Sequence, residues 1–165
     1  MSNKFYNALE NNLMPAMKST TDEEFERVKK MYDNSGLPTT QMPEDDHAIF
    51  RKLMPDTDLN LVKNSRVMSV GEGVCTCGRT LSIVDIVKKS FDTNSHSGAF
   101  LGSVFRGEMG KVVVCATDIS EEFRSKMPAT TMWVEETSPI PCINCGKEHD
   151  LCLLQDNLMH FWTNW

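Results

Sequence analysis

The chain has 165 residues, 40% of them hydrophobic and 24% charged, with 17 basic against 23 acidic side chains and a formal balance of −6. That length suits one domain with a core of its own. The acidic balance argues against broad binding to a nucleic-acid backbone, which needs a positive footprint. No run reaches the ~18 apolar residues of a bilayer span, and Met1–Tyr6 lacks the apolar core of an export signal.

The first third reads as helical. Phe5, Leu9, Leu13 and Met17 recur every four residues and keep one helix face until Pro15 ends or kinks it. A second helix opens at Thr21-Asp22-Glu23-Glu24, which has capping-box spacing, and carries Phe25, Val28, Met31 and Tyr32 before stopping near Asn34-Ser35-Gly36. Residues 36–43 read as a connector. A third helix follows from Pro43 through Ile49, Phe50 and Leu53 to Met54-Pro55.

After residue 65 the period changes. Arg66 to Val70 alternates as a strand does, with a turn or bulge at Gly71-Glu72-Gly73. Ser82 to Phe91 reads as a helix with Ser82 and Asp85 at its start. A hairpin is expected from 99–105 and 111–115 around Arg106 to Gly110, then a short helix at 120–126 and a strand at 131–135. In the tail, Leu151, Leu154, Leu158, Phe161 and Trp165 step by three and four, the seam of an amphipathic helix. The expected fold is therefore α+β: a helical N-terminal segment (1–65), then a domain (66–165) built on a small mixed or antiparallel sheet, with the two parts able to share a core.

The six cysteines carry the chemistry: Cys75, Cys77, Cys115, Cys142, Cys145 and Cys152. No export signal and no Asn-x-Ser/Thr sequon accompany them, so they read as reduced thiols of a cytosolic or nuclear protein. Two short motifs stand out, Cys75-Thr76-Cys77-Gly78 and Cys142-Ile143-Asn144-Cys145-Gly146. Two thiolates on a tight turn can face one ion, amides after the second Cys can donate to sulfur, and the glycine admits the backbone angle this needs. The Cys-x-x-Cys-Gly half resembles the knuckle of zinc ribbons and rubredoxins, and the Cys-x-Cys-Gly half is one residue shorter. The resemblance implies a structural Zn(2+) held by Cys75, Cys77, Cys142 and Cys145. His149 and Cys152 are the alternates, through a compact Cys142, Cys145, His149, Cys152 set, and metal-free core cysteines are the plainer alternative. Cys115, at the end of a valine run, reads as core.

Other chemistries find less support. Pro141-Cys142-Ile143-Asn144-Cys145 matches half of a deaminase signature, but no His or Cys stands two residues before a Glu. Carboxylate neighbours such as Asp45-Asp46, Glu121-Glu122 and Glu135-Glu136 read as solvated faces, and His47 and His96 as surface residues. The expected function is that of a non-enzymatic, zinc-stabilised regulatory protein that binds a protein partner through Leu158, Phe161, Trp162 and Trp165 of the tail helix. The alternatives are a zinc-containing nucleic-acid-binding module using Arg66, Arg79, Lys88, Lys89 and Arg106, and a zinc-dependent hydrolase or deaminase-like enzyme with an open coordination position. No membrane association is expected.

Overall fold

The structure is a computed structural model that describes residues 18–19, 22–34, 36–69, 73–93, 101–103, 105–108, 112–114, 140–155 and 158–161. The expected helix over 5–17, the helix at 120–126, the strand at 131–135, Cys115, His96, Trp162 and Trp165 all lie outside these residues.

In chain order the elements are β1 (Lys18–Ser19), α1 (Asp22–Asp33), β2 (Thr39–Gln41), α2 (Asp46–Leu53), a 3-10 turn at Leu59–Leu61, β3 (Arg66–Ser69), α3 (Ile83–Thr93), β4 (Val112–Val114), β5 (Ile140–Pro141), β6 (Glu148–His149), β7 (Leu151–Gln155) and β8 (Leu158–Phe161). This is an α+β arrangement. A six-stranded sheet runs β1-β4-β8-β7-β3-β2, and a separate two-stranded ribbon pairs β5 with β6. Every pair in the large sheet is antiparallel except β4 with β8. No helix among the described residues is long and apolar enough to cross a membrane.

Helix α3 is the centre of the packing. Ile83, Val84, Ile86 and Val87 are all buried, as are Asp85 and Ser90, so this helix is covered on nearly every face. It lies against α2, β5 and β7. The core joins Leu37, Phe50 and Val62 to Val67, Met68, Leu81, Leu101 and Leu151 through Leu154. Residues on both sides of position 65 therefore share it, and β2 pairs directly with β3.

Three local expectations are corrected. Residues 36–43 hold β2 at the sheet edge. The β-branched pair Thr39-Thr40 suits an extended edge, and Pro38 and Pro43 bracket it without interrupting the ladder. The hairpin over 99–115 is absent among the described residues. Residues 101–103 and 105 are helical, with Leu101 and Phe105 buried one turn apart. The Glu108 amide donates to the Ser103 carbonyl across Gly107 at φ 74°, and the Arg106 amide donates to the Gly102 carbonyl. Arg106-Gly107 thus closes a helix with a left-handed glycine instead of turning a hairpin. Val112–Val114 is a strand as expected, but its partners are β1 and β8.

The third correction concerns the tail. Leu151–Gln155 and Leu158–Phe161 are paired antiparallel strands, not an amphipathic helix. Leu151, Cys152, Leu153 and Leu154 are all buried, which a one-sided helix seam does not produce. A strand between β3 and β8 with both faces covered does. Only Asp156 and Asn157 separate the paired Gln155 and Leu158, a connection length favoured in hairpins.

A candidate metal centre of two cysteine turns

The first cysteine turn leaves β3 and leads into α3. Val74 bridges Thr80, the Cys75 amide donates to the Arg79 carbonyl (2.8 Å), and the Gly78 amide donates to the Cys75 carbonyl (2.8 Å). Gly78 has φ 91°, a conformation that side-chain-bearing residues rarely adopt. The second turn joins β5 to β6. There the Cys142 amide donates to the Lys147 carbonyl (2.8 Å) and the Gly146 amide to the Cys142 carbonyl (2.8 Å), with Gly146 at φ 76°. The two turns share one bonding plan, and the first reaches its closure one residue earlier. That absorbs the missing residue of Cys-x-Cys.

The turns meet. The sulfurs of Cys75, Cys77, Cys142 and Cys145 lie within 4.8 Å of one another and form a possible metal site. Cys75 Sγ is 3.5 Å from Cys145 Sγ, and Cys77 Sγ is 3.7 Å from Cys142 Sγ, so each turn faces the other. In each turn the first cysteine is buried and the second exposed. One side of the cluster is therefore set in the core and the other opens to solvent.

Neighbouring backbone amides favour the thiolate form of Cys75, Cys142 and Cys145, and burial opposes it. The amide of Cys77 lowers the Cys75 thiol to about 5, aided by hydrogen bonds from His149 and Cys145 and opposed by burial. Burial pushes the Cys142 thiol up to about 11, against the pull of the Cys145 and Asn144 amides. The Lys147 amide favours the Cys145 thiolate, but the neighbouring thiols of Cys75 and Cys77 and partial burial prevail and raise it. Four thiols this close cannot all ionise unaided, because each thiolate repels the next. A cation at their centre reverses that balance.

The two alternates do not join the group. Cys152 lies in β7 opposite Met68 and Phe161, fully buried, with its sulfur 3.8 Å from the Leu153 carbonyl oxygen. The compact set needs all four groups to face one ion from a single short stretch, whereas β6 ends before Cys152 and that residue belongs to the large sheet. His149 sits beside Cys75, but it is not among the four clustered groups, and its buried Nε2 has no hydrogen-bond partner.

A buried ion network braces the site and was not foreseen. The Arg79 guanidinium forks to Asp46 (2.9 and 2.8 Å) and to Asp85 (3.0 and 3.0 Å), with all three side chains at most 8% exposed. Burial disfavours the charge on Arg79, but the two carboxylates more than offset it and raise its pKa. Asp46, expected on a solvated face, is buried and also accepts from Ser82 Oγ (2.6 Å). Arg79, part of the basic patch that the nucleic-acid alternative needs, is enclosed. Asp85 accepts the Ser82 amide (2.9 Å) while Ser82 Oγ accepts the Val84 amide (3.2 Å), a reciprocal cap at the start of α3. Asp85 also accepts the amide of Ile143, inside the second cysteine turn (3.0 Å). The one signal available in sequence was Ser82 three residues before Asp85.

Leu158 and Phe161, expected on a partner-binding helix, lie in β8 between β4 and β7. Both backbone edges of that strand are thus engaged.

No curated protein and no solved structure matches the chain. A family model described as "Domain of unknown function (DUF8243)" matches residues 13–123, which takes in Cys75 and Cys77 and ends before Cys142 and Cys145. That match spans about two thirds of the sequence, and the chain belongs to this family.

Proposed function

We propose that this is a non-enzymatic, zinc-stabilised protein of a reducing compartment, cytosol or nucleus, that acts by presenting a shaped surface to a protein partner. The observation that carries the metal half is the convergence of four sulfurs within 4.8 Å from two turns of matching design. Four soft thiolates on short, amide-rich turns favour tetrahedral Zn(2+), and four protein ligands close its shell. A closed shell leaves no position for water or substrate, so the ion fastens β5–β6 to the segment between β3 and α3. This favours a structural role over a hydrolase or deaminase.

A protein partner fits the charge pattern better than nucleic acid does. Of the five basic residues considered for a nucleic-acid patch, Arg79 is buried between two carboxylates, and Arg66, Lys88 and Arg106 pair with Asp33, Asp92 and Glu108. The partner-facing residues in this proposal are Trp162 and Trp165, following Leu158 and Phe161 of β8.

The test is elemental analysis of protein purified without chelators, followed by cobalt substitution. One zinc per chain and the absorption of a four-thiolate cobalt site are expected. Metal-free protein of unchanged stability sinks the metal half. Comparing the proteins captured by the wild type and by a Trp162→Ala/Trp165→Ala variant tests the surface, and identical capture by both refutes it.

A further inference from the structure

The two cysteine turns lie 65 to 70 residues apart in sequence, yet their sulfurs stand at the spacing of one ion's ligands. Something other than the chain's local geometry must hold them in register. We infer that Asp85 is the positioning residue of the metal centre, joining both turns through one buried carboxylate. The inference rests on the zinc reading above and concerns how that site is pre-set.

The carboxylate of Asp85 accepts four hydrogen bonds from three places. Oδ1 takes Arg79 Nε (3.0 Å), from the residue that closes the first turn, and the Ile143 amide (3.0 Å), from within the second. Oδ2 takes Arg79 Nη2 (3.0 Å) and the Ser82 amide (2.9 Å), from the cap of α3. A single oxygen therefore measures the distance between the turns, and the other oxygen fixes that carboxylate to the central helix. The side chain is fully buried, so it has no water to substitute for these donors. Outer groups of this kind orient ligands, and their loss typically weakens metal binding about 10–100-fold.

Asp46 supplies the contrast. It grips the same guanidinium and Ser82 but bonds no residue of the second turn. Both carboxylates brace the fold, and only Asp85 spans the site. Replacing Asp85 by Asn substitutes a donor for one acceptor oxygen, which breaks one pair of the four bonds whichever way the amide is turned.

The experiment titrates the full chain, stripped of metal, with Zn(2+) against a chromophoric chelator, for the wild type, Asp85→Asn and Asp46→Asn. Denaturant stability of each stripped protein is measured alongside. Both variants lose stability, but zinc affinity falls about 10–100-fold in Asp85→Asn and much less in Asp46→Asn. Equal affinity in Asp85→Asn and wild type, or an equal loss in both variants, overturns the inference. Where Asp85→Asn leaves no folded protein to titrate, Arg79→Lys, which keeps the charge and loses the forks, replaces it; it must also weaken zinc binding, and unchanged affinity refutes the positioning role. Wild-type protein that takes up no zinc overturns the metal reading itself, and the inference with it.

Discussion

Replacing Cys145 by Ser separates the metal from the fold, because the four cysteines are not equally embedded. Cys145 is exposed, with its sulfur 3.5 Å from that of Cys75, whereas Cys142 is only 2% exposed and belongs to the core. In the presence of a chelator, Cys145→Ser is a surface change worth within about 0.5 kcal/mol. Cys142→Ser replaces a sulfur packed in the core by a smaller, more strongly solvated hydroxyl and costs about 1–3 kcal/mol. Zinc at 100 times its Kd adds about 2.7 kcal/mol to a state that binds it. For a chain of this size each kcal/mol moves the Tm by about 2–4 °C, so zinc raises the wild-type Tm by about 5–11 °C. Thermal melts followed by circular dichroism, with chelator and with zinc, measure all of this. Cys145→Ser should melt with the wild type in chelator and lose most of the zinc-dependent rise. Cys142→Ser should melt lower in chelator and lose the rise as well. A wild-type Tm that ignores zinc, or a Cys145→Ser drop in chelator as large as that of Cys142→Ser, refutes the reasoning.

Other expectations follow from the packing and the turns. Phe50 is completely buried on α2, and Phe50→Ala should cost about 3–5 kcal/mol in urea unfolding, with a loss under about 1 kcal/mol contradicting its place in the core. Gly36 and Gly73 both have positive φ, but a Cβ at Gly36 meets open space while one at Gly73 would stand 2.6 Å from Thr40 Cγ2. Gly36→Ala should cost about 1–2 kcal/mol and Gly73→Ala more, and equal denaturation midpoints would contradict the close approach of β2. In metal-free protein Cys75, held near 5, contributes stability that is complete above the ordinary thiol value of 9.0 and lost as pH falls to about 5. Cys142, held near 11, contributes stability that is complete below 9.0 and lost as pH rises toward 11. Unfolding midpoints across pH should therefore climb from about 5 to 9.0 and lose that climb in Cys75→Ser.

The parts of the molecule that were legible from sequence are those set by short-range rules. The turns at Cys75 and Cys142 announced themselves through paired thiols and a following glycine, and Gly78 and Gly146 do adopt positive φ. Helices α1, α2 and α3 follow apolar spacing and their start signals, though α2 begins at Asp46, after Pro43 and Glu44 accept turn bonds from Asp46 and His47. The tail misled because Leu151, Leu154, Leu158 and Phe161 satisfy a helical period. The deciding residues were Cys152 and Leu153 between them, whose burial requires two covered faces. Gly107 misled for a related reason: a left-handed glycine ends a helix as readily as it turns a hairpin. The Arg79 network was invisible because Asp46 lies 33 residues from its partner, and only the packing of α2 on α3 brings them together.

The order of the large sheet has a consequence for how the molecule is made. Among the described strands of this sheet, β7 and β8 come last in sequence, yet they occupy the middle, between β3 with β2 on one side and β4 with β1 on the other. As the polypeptide leaves the ribosome, the two flanks emerge without the pair that joins them, each exposing an open edge. The keystone is synthesised after the stones it locks. Nascent chains stalled before residue 151 should then be more in need of a chaperone than chains stalled well after residue 161, because the sheet cannot assemble until β7 and β8 have emerged.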